Sequence, residues 1–232
     1  KYYIFDNTNK YIEYYNENKD IELSKVVSII NTNRNNDFYT NIKDTDINKG
    51  ILMLINKYNK LSKDYIPNLI NMDPKYAYGG NKMDKNAYEY YIRMCDDIYK
   101  EKGLVLKTTS SYRSYNTQEN LYNYYVNEYG KESTDTFSAR AGHSEHQTGL
   151  TLDIISDNSN MGNFGNSNEY KWLKDNSYKY GFILRYEEDK TNITGYKFEP
   201  WHYRFVGVDA AAYIYNNNIT FDEYYAYFVE NK

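Results

Sequence analysis

Apolar residues recur at helical spacing over residues 84–102, where Tyr88, Tyr91, Ile92, Cys95, Ile98 and Tyr99 share one face and Gly103 supplies a stop. This is the clearest helix of the chain. Shorter helical patterns cover 11–18 and 24–30, the second with Ser24 placed to cap it. Asn116 followed by Glu119 predicts a capping box opening a helix that ends at Gly130, and Thr220-x-x-Glu223 predicts another opening the last helix. A further helix is expected over 166–180, closed by Gly181. Short runs of apolar and β-branched residues predict strands at 51–55, 104–109, 149–155, 181–185 and 201–206. Helices and strands mix without strict alternation, so the expected class is α+β, a small and mainly antiparallel sheet flanked by helices. The polar stretch 31–49, rich in Asn, Asp, Thr and Lys, is the one seam. It divides an N-terminal helical extension, 1–49, from the main unit, 50–232.

Composition narrows the possible functions. Of 232 residues 41% are hydrophobic, yet 31 are Tyr and 9 are Phe, so much of the apolar surface carries a hydroxyl that needs water or a partner. Lys and Arg number 28 against 32 Asp and Glu, a net charge of -4, which argues against a surface that neutralises nucleic-acid phosphates. No segment approaches the roughly 18 consecutive apolar residues of a transmembrane span. The chain begins at Lys1 without a basic-then-apolar leader, so the expectation is that a signal or anchor has been removed or the chain trimmed. The single cysteine, Cys95, excludes an intramolecular disulfide and a cysteine metal cluster; lying on the apolar stripe, it reads as a core residue. A metal, if present, must be held by His and carboxylates.

Histidine is scarce, with His143, His146 and His202 only, and two of these stand near carboxylates. From His146 to Asp153 an extended chain would span about 23 Å, so both can reach one ion only if the backbone folds back near Thr148 and Gly149, which glycine permits. In Glu199-Pro-Trp-His202, Pro200 fixes the backbone and Trp201 can exclude water. Two imidazoles with one carboxylate form a typical catalytic zinc set, leaving a fourth position for water. A buried, satisfied histidine or a surface ion pair would explain either motif taken alone.

At these residues the sequence resembles the zinc D-alanyl-D-alanine carboxypeptidases of the VanY type, within the lysostaphin/D-Ala-D-Ala peptidase/hedgehog structural group. The pattern Ser-x-His-x-x-Gly-x-Ala-x-Asp matches Ser144, His146, Gly149 and Asp153, and Glu-x-x-His matches Glu199 and His202. An upstream element resembles Ser110-Ser-Tyr-Arg113-Ser-Tyr-Asn-Thr-Gln118, and 54–67 resembles the family's opening strand and loop. Departures are Thr151 for the usual Ala, Ser111 for Gly, and Ala141 for Pro.

The resemblance, covering about residues 50–228, implies a zinc peptidase domain with a hedgehog-like fold. In it His146, Asp153 and His202 hold Zn2+, and Glu199 is the base for the metal-bound water. Arg113 supports the developing oxyanion, while Gln118 and Ser144 help to position the peptide end. His143 is expected beside the site or at the surface, not as a ligand. The implied activity is removal of the C-terminal D-Ala from peptidoglycan stem peptides on the outer, wall side of the membrane; the sequence is silent on oligomeric state, and a monomer is the default expectation. L,D-carboxypeptidase action, endopeptidase cleavage of cross-links, and a non-catalytic wall-binding module with structural zinc are the alternatives.

Overall fold

The computed structural model describes residues 1–230. Its helices are α1 (Thr8–Glu17), α2 (Leu23–Asn31), α3 (Lys85–Lys102), α4 (Tyr115–Tyr129), α5 (Lys131–Thr134), α6 (Asn168–Asn176), α7 (Thr191–Thr194), α8 (Val208–Asn217) and α9 (Phe221–Phe228). The strands are β1 (Lys43–Asp44), β2 (Asn59–Lys60), β3 (Leu69–Asn71), β4 (Lys82–Asp84), β5 (Lys107–Ser110), β6 (Thr151–Ile155), β7 (Phe182–Leu184) and β8 (His202–Phe205). Four of them form the central sheet in the order β5-β6-β8-β7, every pair antiparallel. The class is α+β, as the sequence pattern implies.

Strand alternation decides what this sheet can do. Leu152 and Ile154 of β6, with Tyr203 and Phe205 of β8, point into a core shared with Tyr91, Met94 and Ile98 of α3. The residues between them, Thr151, Asp153, His202 and Arg204, therefore point to the opposite face. Register pairs Asp153 with His202 and Thr151 with Arg204. α3 is fixed at both ends: the Asp84 carboxylate accepts from the amides of Asn86 and Ala87, and Gly103 closes the helix in the left-handed conformation. Each fully buried side chain on its inner face, such as Ile98, contributes about 1.5–3 kcal/mol. Cys95 is a core residue in that face, and burial pushes its thiol up to about 12.

Several expectations need correction. Tyr99 is 61% exposed, and Met94 takes its place on the buried stripe. Ser24 lies inside α2, whose cap is Glu22 with no side-chain bond. The helix expected to open at Asn116 is capped by Ser114, whose hydroxyl accepts from the Thr117 amide. Residues 51–55 form no strand: Ile47–Leu52 is a 3-10 segment, and the following residues run buried and irregular. The Arg204 guanidinium takes the carbonyls of Ile51 and Met53 at 3.0 and 2.9 Å, satisfying backbone that a strand partner would otherwise satisfy. The capping box of Thr220 and Glu223 is present in full.

The first two helices pack on each other through Tyr11, Val26 and Ile30, and Ser28 of α2 bonds Glu223 of α9. Lys57 joins the early chain to the later part. It is buried, donates to the Asp135 carbonyl, and lies 3.7, 4.3 and 5.2 Å from the ring centres of Tyr196, Phe38 and Tyr39. Among the described residues no helix is long and apolar enough to cross a membrane.

Two outcomes are expected. Gly149 has φ +73°, and a Cβ there would sit 2.5 Å from Leu69 Cδ2 and 3.3 Å from the Asp84 nitrogen, so Gly149→Ala should cost about 1–3 kcal/mol, read as a lower urea midpoint. Burial pushes the Lys57 ammonium down to about 7, against the pull of Asp135. The folded chain then binds fewer protons at this position than the unfolded chain between about pH 7 and 10.5, so stability relative to Lys57→Met should rise with pH across that window. Paired urea titrations at pH 7 and 9.5 measure this; an unchanged difference would contradict it.

Candidate active site

Two local turns bring the chemistry together. The segment Glu145–Thr148 is a single 3-10 turn, after which left-handed Gly149 reverses the chain into β6, so His146 comes back over Asp153. On the neighbouring strand, Glu199-Pro-Trp-His202 is a tight turn closed by the His202 amide on the Glu199 carbonyl at 3.0 Å, with proline in its favoured second position. The sheet register then sets His202 opposite Asp153.

One donor atom from each of His146, Asp153 and His202 lies within 4.8 Å of the others, and all three residues are buried. His146 Nε2 is 3.3 Å from Asp153 Oδ2, and His202 Nδ1 is 3.2 Å from Asp153 Oδ1. Asp153 Oδ1 is buried without a hydrogen-bond partner among the described residues. A buried carboxylate oxygen in that condition, facing two imidazole nitrogens, suits a divalent cation. Glu199 Oε2 lies 3.5 Å from His202 Nδ1 on the cleft side. Burial raises Glu199 to about 8 against the attraction of His202. Burial acts to lower both histidines: His146 is lowered, whereas His202, with Asp153 and Glu145 at its two nitrogens, is raised to about 9. Asp153 is held well below the usual carboxylate range by the two imidazoles, although burial opposes this.

Arg113 approaches from the loop after β5. Its guanidinium is 3.7 Å from Asp153 Oδ2, donates to Ser110 Oγ at 2.9 Å and to Gln118 Oε1 at 2.7 Å. Gln118 in turn donates to the Ala139 carbonyl at 2.7 Å, so its amide clamps Arg113 from behind. Ser144 is buried and lines the same cleft, a cavity of about 420 Å³ walled by Tyr125, Phe137, Tyr186, Tyr196, Phe198 and Trp201. Ser111, where glycine is common in the resembling pattern, uses its hydroxyl to donate to the Lys82 carbonyl at 2.6 Å. The hydroxyl of Thr151 is buried without a partner among the described residues, and nothing in the structure explains it.

His143 is neither at the surface nor in the donor group. It is buried, with Nδ1 2.8 Å from the Asn56 carbonyl and its ring edge-on to Tyr39. Burial lowers it to about 4, so it is neutral near pH 7. Three charged residues escaped the sequence reading: Glu145, Arg185 and Arg204 are fully enclosed just behind His202. The available signals were Glu145 adjoining His146 and Arg204 two residues after His202, hence on its face of the strand.

Comparison with known proteins points the same way. Residues 80–208 match the family model of the VanY D-alanyl-D-alanine carboxypeptidases. A D-alanyl-D-alanine carboxypeptidase of Enterococcus faecalis is 36% identical over 183 residues, 75% of this chain and 65% of that protein. The chain thus spans just under two thirds of that relative's length. Among solved structures, the LdcB LD-carboxypeptidase superposes with a TM-score of 0.75 at 36% identity, covering 83% of this chain and 94% of that one. A vancomycin-resistance D,D-pentapeptidase VanY variant in complex with Zn(II) gives 0.66 at 35% identity, covering 75% of this chain and 97% of that one. With more than half of its residues inside the family model, and with His146, Asp153 and His202 gathered around one point, the chain belongs to the VanY family of D-alanyl-D-alanine carboxypeptidases.

Proposed function

We propose that the protein is a zinc-dependent D-alanyl-D-alanine carboxypeptidase that removes the C-terminal D-Ala from peptidoglycan stem peptides on the wall side of the membrane. The observation that carries this is the convergence of three buried donors on one point, with an unpartnered Asp153 oxygen among them and Glu199 alongside. Two imidazoles and one carboxylate are the donor set of catalytic zinc, and the Zn(II) bound by the VanY relative supports the identity of the ion. Bound there, zinc supplies a Lewis acid that polarises a carbonyl and lowers the pKa of water toward 7.

The remaining work falls to the chain. His146, Asp153 and His202 hold the ion. Glu199, which is not needed as a ligand and whose ionised form a bound cation would favour against the effect of burial, takes the proton of the attacking water and returns it to the departing amine. Arg113, immobilised by Ser110 and Gln118, meets the charge that develops on the carbonyl oxygen; a donor fixed in advance costs no reorganisation when the charge appears. The aromatic walls keep bulk water from the scissile bond. Residues 50–232 form the catalytic unit in this reading, with 1–49 a helical collar against it. The cleft and Glu199 count against a binding module with purely structural zinc, since such a module needs neither.

The likeness to the LdcB LD-carboxypeptidase favours a second reading, cleavage of tetrapeptide stems. Digesting defined pentapeptide and tetrapeptide stems and weighing the products separates the two. The purified protein should hold one zinc per chain and lose activity to a chelator, with zinc restoring it. Glu199→Ala should keep the metal and lose activity by about 10²-fold to 10⁴-fold or more, and His202→Ala should lose both. Full activity without metal would end the proposal.

A further inference from the structure

We infer that the tyrosines at the C-terminal end of α4 form a glycan subsite, a stacking surface for the N-acetylated amino sugar to which the stem peptide is joined. The subsite rests on the stem-peptide reading above and takes the far end of the same substrate. Four rings make the surface. Tyr125 and Tyr129, one helical turn apart, have ring centres 6.2 Å from each other and planes inclined by 36°. Both stand edge-on to Phe137, at 5.3 and 5.8 Å, and Tyr124 adjoins Tyr125 at 5.6 Å. Phe137 thus holds the two tyrosines side by side, while Tyr124 and Tyr129 are 58% and 59% exposed. Rings this exposed add little to the core, and rings already held by one another lose little freedom when a ligand stacks on them.

The surface continues the cleft. Gln118, clamped to Arg113 beside Asp153, marks the catalytic end of α4, and Leu121, Tyr125 and Phe137 carry the cleft wall on from there. At a rise of 1.5 Å per residue, Tyr125 and Tyr129 lie about 10.5 and 16.5 Å along the helix from Gln118. In D,D-cleavage four stem residues separate the scissile bond from the sugar, about 13 Å when extended; in L,D-cleavage three do, about 10 Å. Either stem therefore delivers its sugar to the turn between Tyr125 and Tyr129. Charge favours the same occupant. Glu119 and Glu128 are the charged residues of α4, with no Lys or Arg, so the helix repels anionic lipid and suits a neutral partner. An amino sugar is one: the C–H bonds of a pyranose face meet the negative face of an aromatic ring, and Asn123 and Asn127, exposed on the same helix, can bond its hydroxyls and acetamido group.

The test uses one stem, pentapeptide or tetrapeptide, whichever the zinc-loaded protein cleaves, capped at its N-terminus either with a lactyl group or with N-acetylmuramic acid, so that the sugar ring is the sole difference. The sugar should raise kcat/KM about 10-fold, through KM, in the wild-type protein and in Tyr129→Phe, and by less than about 2-fold in Tyr129→Ala. No effect of the sugar in the wild-type protein, or an equal effect in Tyr129→Ala, overturns the glycan subsite and leaves the peptidase reading intact. If neither stem is cleaved, the peptidase reading falls, and saturation-transfer NMR of the zinc-loaded protein with N-acetylglucosaminyl-N-acetylmuramic acid decides the subsite on its own. Transfer from tyrosine ring protons to the sugar that is lost in Tyr129→Ala supports the subsite; absence of transfer overturns it.

Discussion

The pairing of β6 with β8 is the constraint on which the site depends. Asp153 stands opposite His202 only in the observed register. A slip of one residue in either strand would bury Asp153 or His202 among Leu152, Ile154, Tyr203 and Phe205 and push an apolar side chain toward the cleft. The apolar alternation that drives the sheet against α3 thus fixes the spacing of the donor atoms as well. Core packing and site geometry are set by the same few residues, which is why both turns feeding the strands are tight and buried.

Charge is arranged in layers around that pairing. Nearest the cleft are the donors and Glu199; behind them lies Glu145, then Arg185 and Arg204, then Asp222 at the start of α9. Each layer offsets the one before it, so no single charge is left buried and unpaired, a condition that would cost several kcal/mol. Arg204 also serves the backbone of 51–53, so one side chain ties the early irregular segment to the rear of the site. Lys57 does similar work between Phe38 of the early chain and Tyr196 of the cleft wall.

Features with a local cause were legible in the sequence. α3 was readable because cap, stripe and terminal glycine lie within one stretch, and the start of α9 because its capping box is a four-residue device. The approach of His146 to Asp153 was readable because glycine at 149 makes the reversal possible. What was lost depends on distant partners or on a choice between neighbours. Ser114 and Asn116 are both competent caps, and only the backbone conformation at 114 selects the first. Residues 51–55 are apolar enough for a strand, but the carbonyls of Ile51 and Met53 are met by an arginine some 150 positions away. Glu145, Arg185 and Arg204 look like ordinary charges until the register stacks them on one face.

Asp222 belongs to α9, which follows every cleft-lining residue along the chain. Until α9 docks, Arg185 lacks one of its two carboxylates, and the hold on Glu145 is incomplete. A nascent chain with its cleft-lining residues already made would therefore still lack part of the charge balance behind them. The rear support of the cleft is in this way furnished by a stretch of chain that is made after the cleft itself.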